Sequence, residues 1–373
     1  IWNDIVTRKM YVTGACGALY DGTSPDGTCY EPDSIQKVHQ SYGRPYQLPN
    51  STAHNETCAN IGNMLFNWRM LEVTGDAKYA ELVETCLYNS ILSGISLDGK
   101  KYFYTNPLRI SADLPYTLRW PKERTEYISC FCCPPNTLRT LCQAQNYAYT
   151  LGSEGIYCNL YGANTLTTNW RDKGEIALTQ KTAYPWEGNV RVEFDRVPRK
   201  AGAFSLFLRI PEWCEKAMLT VNGEPVPVAA KANTYAEVKR TWKKGDVVEW
   251  VMDMPVRLVE AHPLAEEIRN QVVVKRGPLV YCLESMDMRG GGSIDNVLIP
   301  ADIKLIPKKV TIEGSPVVAL EGKARLISSN SWEGILYRPV SFAGKTVDIR
   351  LIPYYAWGNR GKGEMTVWMP LGR

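Results

Sequence analysis

Two short segments hold the residues best suited to chemistry: His54-Asn55-Glu56-Thr57-Cys58 and Cys130-Phe131-Cys132-Cys133-Pro134-Pro135-Asn136. Glu56 and Cys58 stand two apart, and in an extended segment that spacing turns both side chains to one side. Pro49 and Asn50, just upstream, favour an extended or turning chain there. Cys132 and Cys133 are adjacent, where a disulfide ring is strained, so the pair suggests thiolate chemistry or a metal. Pro134 biases Cys133 toward an extended backbone, and Pro135 suits the first turn of a helix. A cysteine pair just before a helix N-terminus lies where the dipole favours the thiolate. Three thiolates and one carboxylate make a tetrahedral zinc set. Two blander readings stay open on these residues alone: inert buried thiols and a purely structural zinc site.

The elements that must position these groups change character along the chain. With 373 residues, two or three domains are expected rather than one core. Residues 1–50, rich in Gly, Pro, Asp and Tyr, read as long ordered loops of the kind that carry function. Ile61, Leu65, Trp68, Met70 and Leu71 recur at helical spacing, and Gly75-Asp76 ends that helix. A second helix is expected over 78–92, burying Tyr79, Leu82, Val83, Cys86, Leu87 and Ile91. A third is expected from Pro135, carrying Leu138, Leu141, Cys142 and Ala148. Beyond about residue 152, short alternating runs separated by turn signals such as Asn222-Gly223 predict an antiparallel β-sandwich over 153–256. Another β-rich stretch fills 257–373. Helices first and strands afterwards mean separate modules, a multidomain α + β chain.

Composition narrows the partners. Apolar residues make up 45% and charged residues 22%, the ordinary balance of a globular protein. The net charge of +4 is scattered, which argues against nucleic acid. No run of about 18 apolar residues occurs, so no membrane-spanning helix is expected. Ile1 stands where a Met would start a chain and no signal segment follows, which reads as a cut N-terminus and leaves the compartment open. The eleven cysteines do not suit a disulfide scaffold in so long a chain. Away from the two segments they read as structural, with Cys130 expected to line the metal pocket. His54 and His39 read first as structural histidines, and Trp68 and Trp120 as core.

The strings Tyr46-Gln47-Leu48-Pro49-Asn50, Glu56-Thr57-Cys58-Ala59, Tyr104-Thr105-Asn106-Pro107-Leu108 and Cys132-Cys133-Pro134-Pro135-Asn136 resemble signatures of glycoside hydrolase family 127 and its relative, family 146. So do Arg276-Gly277-Pro278-Leu279-Val280-Tyr281 and Leu351-Ile352-Pro353-Tyr354-Tyr355-Ala356-Trp357, in the same order along nearly the whole chain. The resemblance implies the C-terminal part of an (α/α)6 catalytic barrel over 1–152, followed by two antiparallel β-sandwich domains. It implies zinc held by Glu56, Cys58, Cys132 and Cys133, with Cys132 as nucleophile of a retaining mechanism and Tyr104 in the sugar site; His39, beside Gln40 in sequence, is a further substrate-binding candidate. The implied activity is exo-hydrolysis of terminal β-L-arabinofuranosyl or similar furanosyl residues of plant oligosaccharides, those of pectin included.

Two departures stand against the family's pattern. Few helices are visible, so the resemblance implies that the barrel's N-terminal half is missing here. A second chain, as a homo-oligomer, or the missing half is then expected to cover an apolar face around residues 60–95. The family's acid/base glutamate, sixteen positions before Glu56, falls on Gln40, and an amide cannot donate the proton. His39, Glu31 and Asp33 are near in sequence. The substitution suits either an altered substrate, such as the aceric acid of complex pectin, or a non-catalytic carbohydrate-binding relative that keeps its zinc. A metal-storage or redox thiol protein is a third reading.

Overall fold

The computed structural model describes residues 1–19, 42–112, 120–327, 334–339 and 343–372. It is a mixed α/β chain with few helices and a sheet-rich C-terminal part. The chain forms two compact units. One comprises Ile1–Asn63, Cys86–Leu138 and Val256–Arg373; the other comprises Met64–Thr85 and Arg139–Pro255. No described helix is long and apolar enough to cross a membrane.

The second unit holds two sheets. Thr234–Arg240, Phe204–Ile210, Gly155–Cys158 and Tyr149–Leu151 make a four-stranded sheet. Asn164–Asn169, Glu175–Thr182, Asn189–Arg196, Val247–Met252, Ala217–Val221 and Glu224–Val226 make a six-stranded one. Alternation puts Ile176, Leu178, Val192, Phe194, Leu206, Leu208 and Trp250 inside. Phe194 of the larger sheet stacks on Trp242 at 4.3 Å and meets Phe204 of the smaller edge-to-face at 6.2 Å. The Asn222-Gly223 turn forms as expected: both residues have positive φ, 53° and 84°, joining Val221 to Glu224. One expectation needs correcting, because pairing is not wholly antiparallel. Gly155–Cys158 runs parallel to Phe204–Ile210, which the long intervening connection permits. Gly155 is required there, since a Cβ would lie 1.9 Å from the Ser205 carbonyl oxygen.

The first unit is built on a ten-stranded sheet whose long strands are Leu279–Met288, Ser315–Ile327 and Gly344–Pro353. It too has one parallel pair, Ile299 beside Leu371. Two of the quoted motifs serve here to tie loops down. Asn89 donates to the Pro278 carbonyl at 3.0 Å and accepts from the Val280 amide at 2.8 Å. Tyr354 donates to the Pro107 carbonyl at 2.9 Å, and buried Arg124 donates to the Ser93, Tyr355 and Trp357 carbonyls. The Tyr354 bond holds the 103–108 segment, which carries Tyr104, to the end of the Gly344–Pro353 strand, while Arg124 ties Ser93 to residues 355–357.

The helices differ from expectation in detail. Trp2–Arg8 forms a helix, α1, where only loop was expected. The second element, α2, spans Thr57–Thr74 and so begins at Thr57, before its first periodic apolar residue. The third, α3, spans Ala77–Thr85 and continues as a wider π-helical turn, Cys86–Ile91. The fourth, α4, spans Cys133–Gln143 and starts two residues earlier than Pro135. Leu138 and Cys142 of α4 are exposed. Residues 77–95 are largely buried, so the apolar side chains left exposed in the 60–95 region are Leu65 and Val73 of α2.

Candidate metal and catalytic site

Glu56 sits on an isolated bridge to Thr105, and the chain turns directly from it into α2. Asn55, at φ 38°, makes that corner. Three side chains fix it. The Asn106 amide donates to the Asn55 carbonyl and to Thr57 Oγ1, each at 3.0 Å, and Ser93 donates to Asn106 Oδ1 at 2.7 Å. Thr57 Oγ1 donates to the Phe103 carbonyl at 3.1 Å. Glu56 and Cys58 therefore converge through a bridge-to-helix turn, not along an extended strand as their spacing suggested. From the other side, Cys132 and Cys133 arrive at the N-terminus of α4. The Asn136 amide nitrogen bonds the Cys132 carbonyl at 3.2 Å, and Thr137 bonds the Cys133 carbonyl at 2.9 Å.

The donor atoms of Glu56, Cys58, Cys132 and Cys133 all lie within 4.8 Å of one another. Cys58 and Cys133 sulfurs are 3.5 Å apart, and those of Cys132 and Cys133 are 3.6 Å apart. Every described cysteine is a free thiol. The Cys132 thiol donates to Glu56 Oε1 at 3.3 Å, and Cys133 lies 3.7 Å from the same oxygen. Sulfurs held on one tetrahedral zinc at about 2.3 Å would stand about 3.8 Å from each other, so the Cys58–Cys133 and Cys132–Cys133 spacings suit such an ion.

Electrostatics point the same way. The Cys133 thiol, with the Asn136 and Cys132 groups, outweighs burial and lowers Cys58 to about 7; Asn136 Nδ2 donates to its sulfur at 3.1 Å. Burial, then hydrogen bonds with Cys58 and Glu56, pushes Cys132 up to about 12. The bond to Cys58, then burial, pushes Cys133 well up. Burial works to raise Glu56, but His54, Cys132 and Tyr104 outweigh it and hold its carboxyl below the usual range. Burial and the bonds to Cys58 favour the protonated form of Cys132 and Cys133. A divalent cation reverses that preference.

Tyr104 is buried beside the cluster, with the Cys130 thiol 3.7 Å from its hydroxyl. Burial, then Cys130 and the nearby acids, pushes its pKa up, so it stays a hydroxyl. Trp120 stacks on Tyr104 at 3.8 Å, and His54, also buried, lies edge-on to it at 5.9 Å. His54 Nε2 is 3.8 Å from Glu56 Oε2, which makes His54 a neighbour of the cluster that the sequence alone placed among structural residues. Asn136 was also missed as a thiolate partner, although it closes the quoted Cys-Cys-Pro-Pro-Asn string. Cys130 is exposed at the rim. Gln40 and His39, and the alternatives Glu31 and Asp33, lie outside the described residues.

Comparison with known proteins fits this geometry. Three family models match consecutive segments: the β-L-arabinofuranosidase GH127 catalytic domain over residues 1–146, its middle domain over 155–254, and the family 127 C-terminal domain over 256–370. A curated non-reducing end β-L-arabinofuranosidase of Bifidobacterium longum subsp. longum is 31% identical over 380 residues, covering 98% of this chain and 54% of that protein. A solved glycoside hydrolase is 90% identical with a TM-score of 0.98, and the match covers all of this chain and 61% of that one. A GH127 β-L-arabinofuranosidase from Geobacillus stearothermophilus T6 is 37% identical with a TM-score of 0.84, covering 56% of its chain. These matches put the chain among the glycoside hydrolases. It belongs to family 127. It spans between half and two thirds of the length of these relatives.

The cluster carries its own prediction. The full-length protein is expected to bind one zinc per chain, and Cys58→Ser or Cys133→Ser should weaken that binding by an order of magnitude or more. Affinity should fall as pH drops, because binding needs thiolates, and fall more steeply below about 7, where Cys58 also takes up its proton. Metal content measured by mass spectrometry after dialysis at pH 6 and pH 8 checks both. Equal zinc retention in wild type and Cys58→Ser would remove the metal-site reading.

Proposed function

We propose that the full-length protein is a retaining exo-glycosidase that removes terminal β-L-arabinofuranosyl or similar furanosyl residues from plant oligosaccharides. Its helical segment belongs to an (α/α)6 barrel and its two sheet-rich regions to β-sandwich domains, with boundaries near residues 152 and 256. The observation that carries the activity is the convergence of Glu56, Cys58, Cys132 and Cys133 beside a buried tyrosine. These four would hold zinc, which when bound keeps its sulfur ligands deprotonated.

Within that reading the chain's own residues divide the work. The Cys132 thiolate attacks the anomeric carbon as the bond to the leaving oxygen breaks, giving a thioglycosyl enzyme that water resolves with net retention. Of the adjacent pair, Cys132 is partly exposed while Cys133 is buried, so Cys132 is the sulfur a sugar can reach. Tyr104, kept protonated, offers a donor to a sugar hydroxyl, and His39 joins it in binding. Gln40 occupies the acid/base position without an acid's chemistry, so the leaving oxygen takes its proton from water, without a positioned acid.

The rival reading, a carbohydrate-binding relative that keeps the zinc, is favoured by Gln40. Products released by the full-length protein from a panel of arabinose-bearing pectin oligosaccharides separate the two. Free arabinose supports the enzyme, while binding without any released sugar supports the rival. The change Gln40→Glu restores an acid and is expected to raise turnover of a natural linkage by about 10²–10⁴-fold. An aryl furanoside, whose leaving group needs no proton, should change little. Equal rates for the two proteins on the natural linkage would show that another group already supplies the proton.

A further inference from the structure

Segment 126–131 leads into the nucleophile and is unusual in what it leaves in solvent. Ile128 is buried against Tyr104 and Cys133, yet Tyr127 is 73% exposed and Phe131 65% exposed. Their rings lie 6.5 Å apart, tilted by 39°. The backbone beneath them is pinned: Tyr102 and Thr125 exchange hydrogen bonds at 2.9 and 3.0 Å, and Thr125 Oγ1 donates to the Tyr127 carbonyl at 3.0 Å. Next to Tyr127 opens a cavity of about 300 Å³, walled by Tyr102, the stacked Tyr104 and Trp120, and Glu123. That volume is at the lower end for ligand pockets, enough for a single sugar ring. Two large rings held out in water on an anchored segment, one of them adjacent in sequence to Cys132, cost solvation unless something apolar covers them. The apolar C–H face of a sugar ring suits aromatic faces, and Glu123, paired with Lys362 at 2.9 Å, adds acceptors for its hydroxyls.

We propose that Tyr127 and Phe131 form the platform for the leaving-group sugar, with Glu123 at its rim; this rests on the glycosidase reading above. The occupant is a neutral sugar ring linked to the furanosyl residue being removed. The test uses the full-length protein and two substrates with the same furanosyl group: a disaccharide, and the glycosyl fluoride, whose leaving group has no ring to stack. Tyr127→Ala with Phe131→Ala should lower kcat/KM on the disaccharide at least ten-fold more than on the fluoride. Tyr127→Leu with Phe131→Leu keeps apolar bulk without the ring and should show the same selective loss, which guards against misfolding of the alanine protein. Equal losses on both substrates, or a large drop in melting temperature with no selectivity, would overturn the platform and point to a protein surface packing there instead. A wild type that turns over neither substrate removes the glycosidase reading itself, an outcome distinct from equal losses.

Discussion

Cys132→Ser is expected to abolish turnover by the full-length protein while a metal still binds through Glu56, Cys58 and Cys133. A serine hydroxyl is a poor nucleophile without a base to deprotonate it. Removing the nucleophile of a covalent mechanism costs on the order of 10⁴-fold or more in kcat. The neighbouring change is expected to fail differently. The Cys133 sulfur lies 3.5 Å from Cys58, 3.6 Å from Cys132 and 3.7 Å from Glu56 Oε1, so it touches every other donor of the cluster. Cys133→Ser should therefore lose metal first, and added zinc should recover part of its activity. Rates on an aryl furanoside, with metal content on the same samples, separate the two. If Cys132→Ser keeps more than about a tenth of wild-type kcat, Cys132 is not the nucleophile.

That quartet was legible because all four donors sit in two short strings, and residue type alone restricts what they can do together. Their local geometry was not legible. Glu56 and Cys58 meet through a turn fixed by Asn106 and Thr57, contacts about fifty residues apart in sequence that no local pattern reports. The stacking of Trp120 on Tyr104 is hidden for the same reason. Strands were readable wherever apolar and polar residues alternate, as in Val247–Met252, whose limits match the sequence reading. Asn164–Asn169 was missed: it is an edge strand with a single apolar residue, Leu166, and nothing in it marks a buried side. The short helix α1 has no side-chain cap and too few residues to show a period.

Least legible of all was a buried charge cluster in the second unit, and its removal should have the largest effect on stability. Arg209, wholly buried, reaches Glu81 at 2.5 Å and Glu84 at 2.6 Å, while its Nε donates to the Asn159 carbonyl at 2.5 Å. Glu81 also accepts from the Glu212 amide at 3.1 Å, and Tyr184 donates to Glu84 at 2.8 Å. The pattern of α3 marks Glu81 and Glu84 as ordinary helix-surface residues, because their partner lies 128 positions away from Glu81. Arg209→Met should leave two carboxylates buried without a cation and cost about 3–5 kcal/mol, a fall in melting temperature on the order of 10 °C. The pH dependence follows from the sign of the shift. Burial, opposed by Arg209, already raises Glu84 to about 7, so its contribution is fully present below its unfolded pKa near 4.5 and is lost as pH rises toward 7. Without Arg209 the Glu84 carboxyl rises further, so the deficit of Arg209→Met should be largest at pH 8 and shrink toward pH 5, where Glu84 is neutral. Adding Glu81→Gln and Glu84→Gln should recover much of the loss at pH 8, since neutral amides need no cation. Thermal unfolding of the four proteins at pH 5 and pH 8 decides it. A melting temperature for Arg209→Met within about 2 °C of wild type at pH 8 would mean that the cluster holds no net charge needing Arg209.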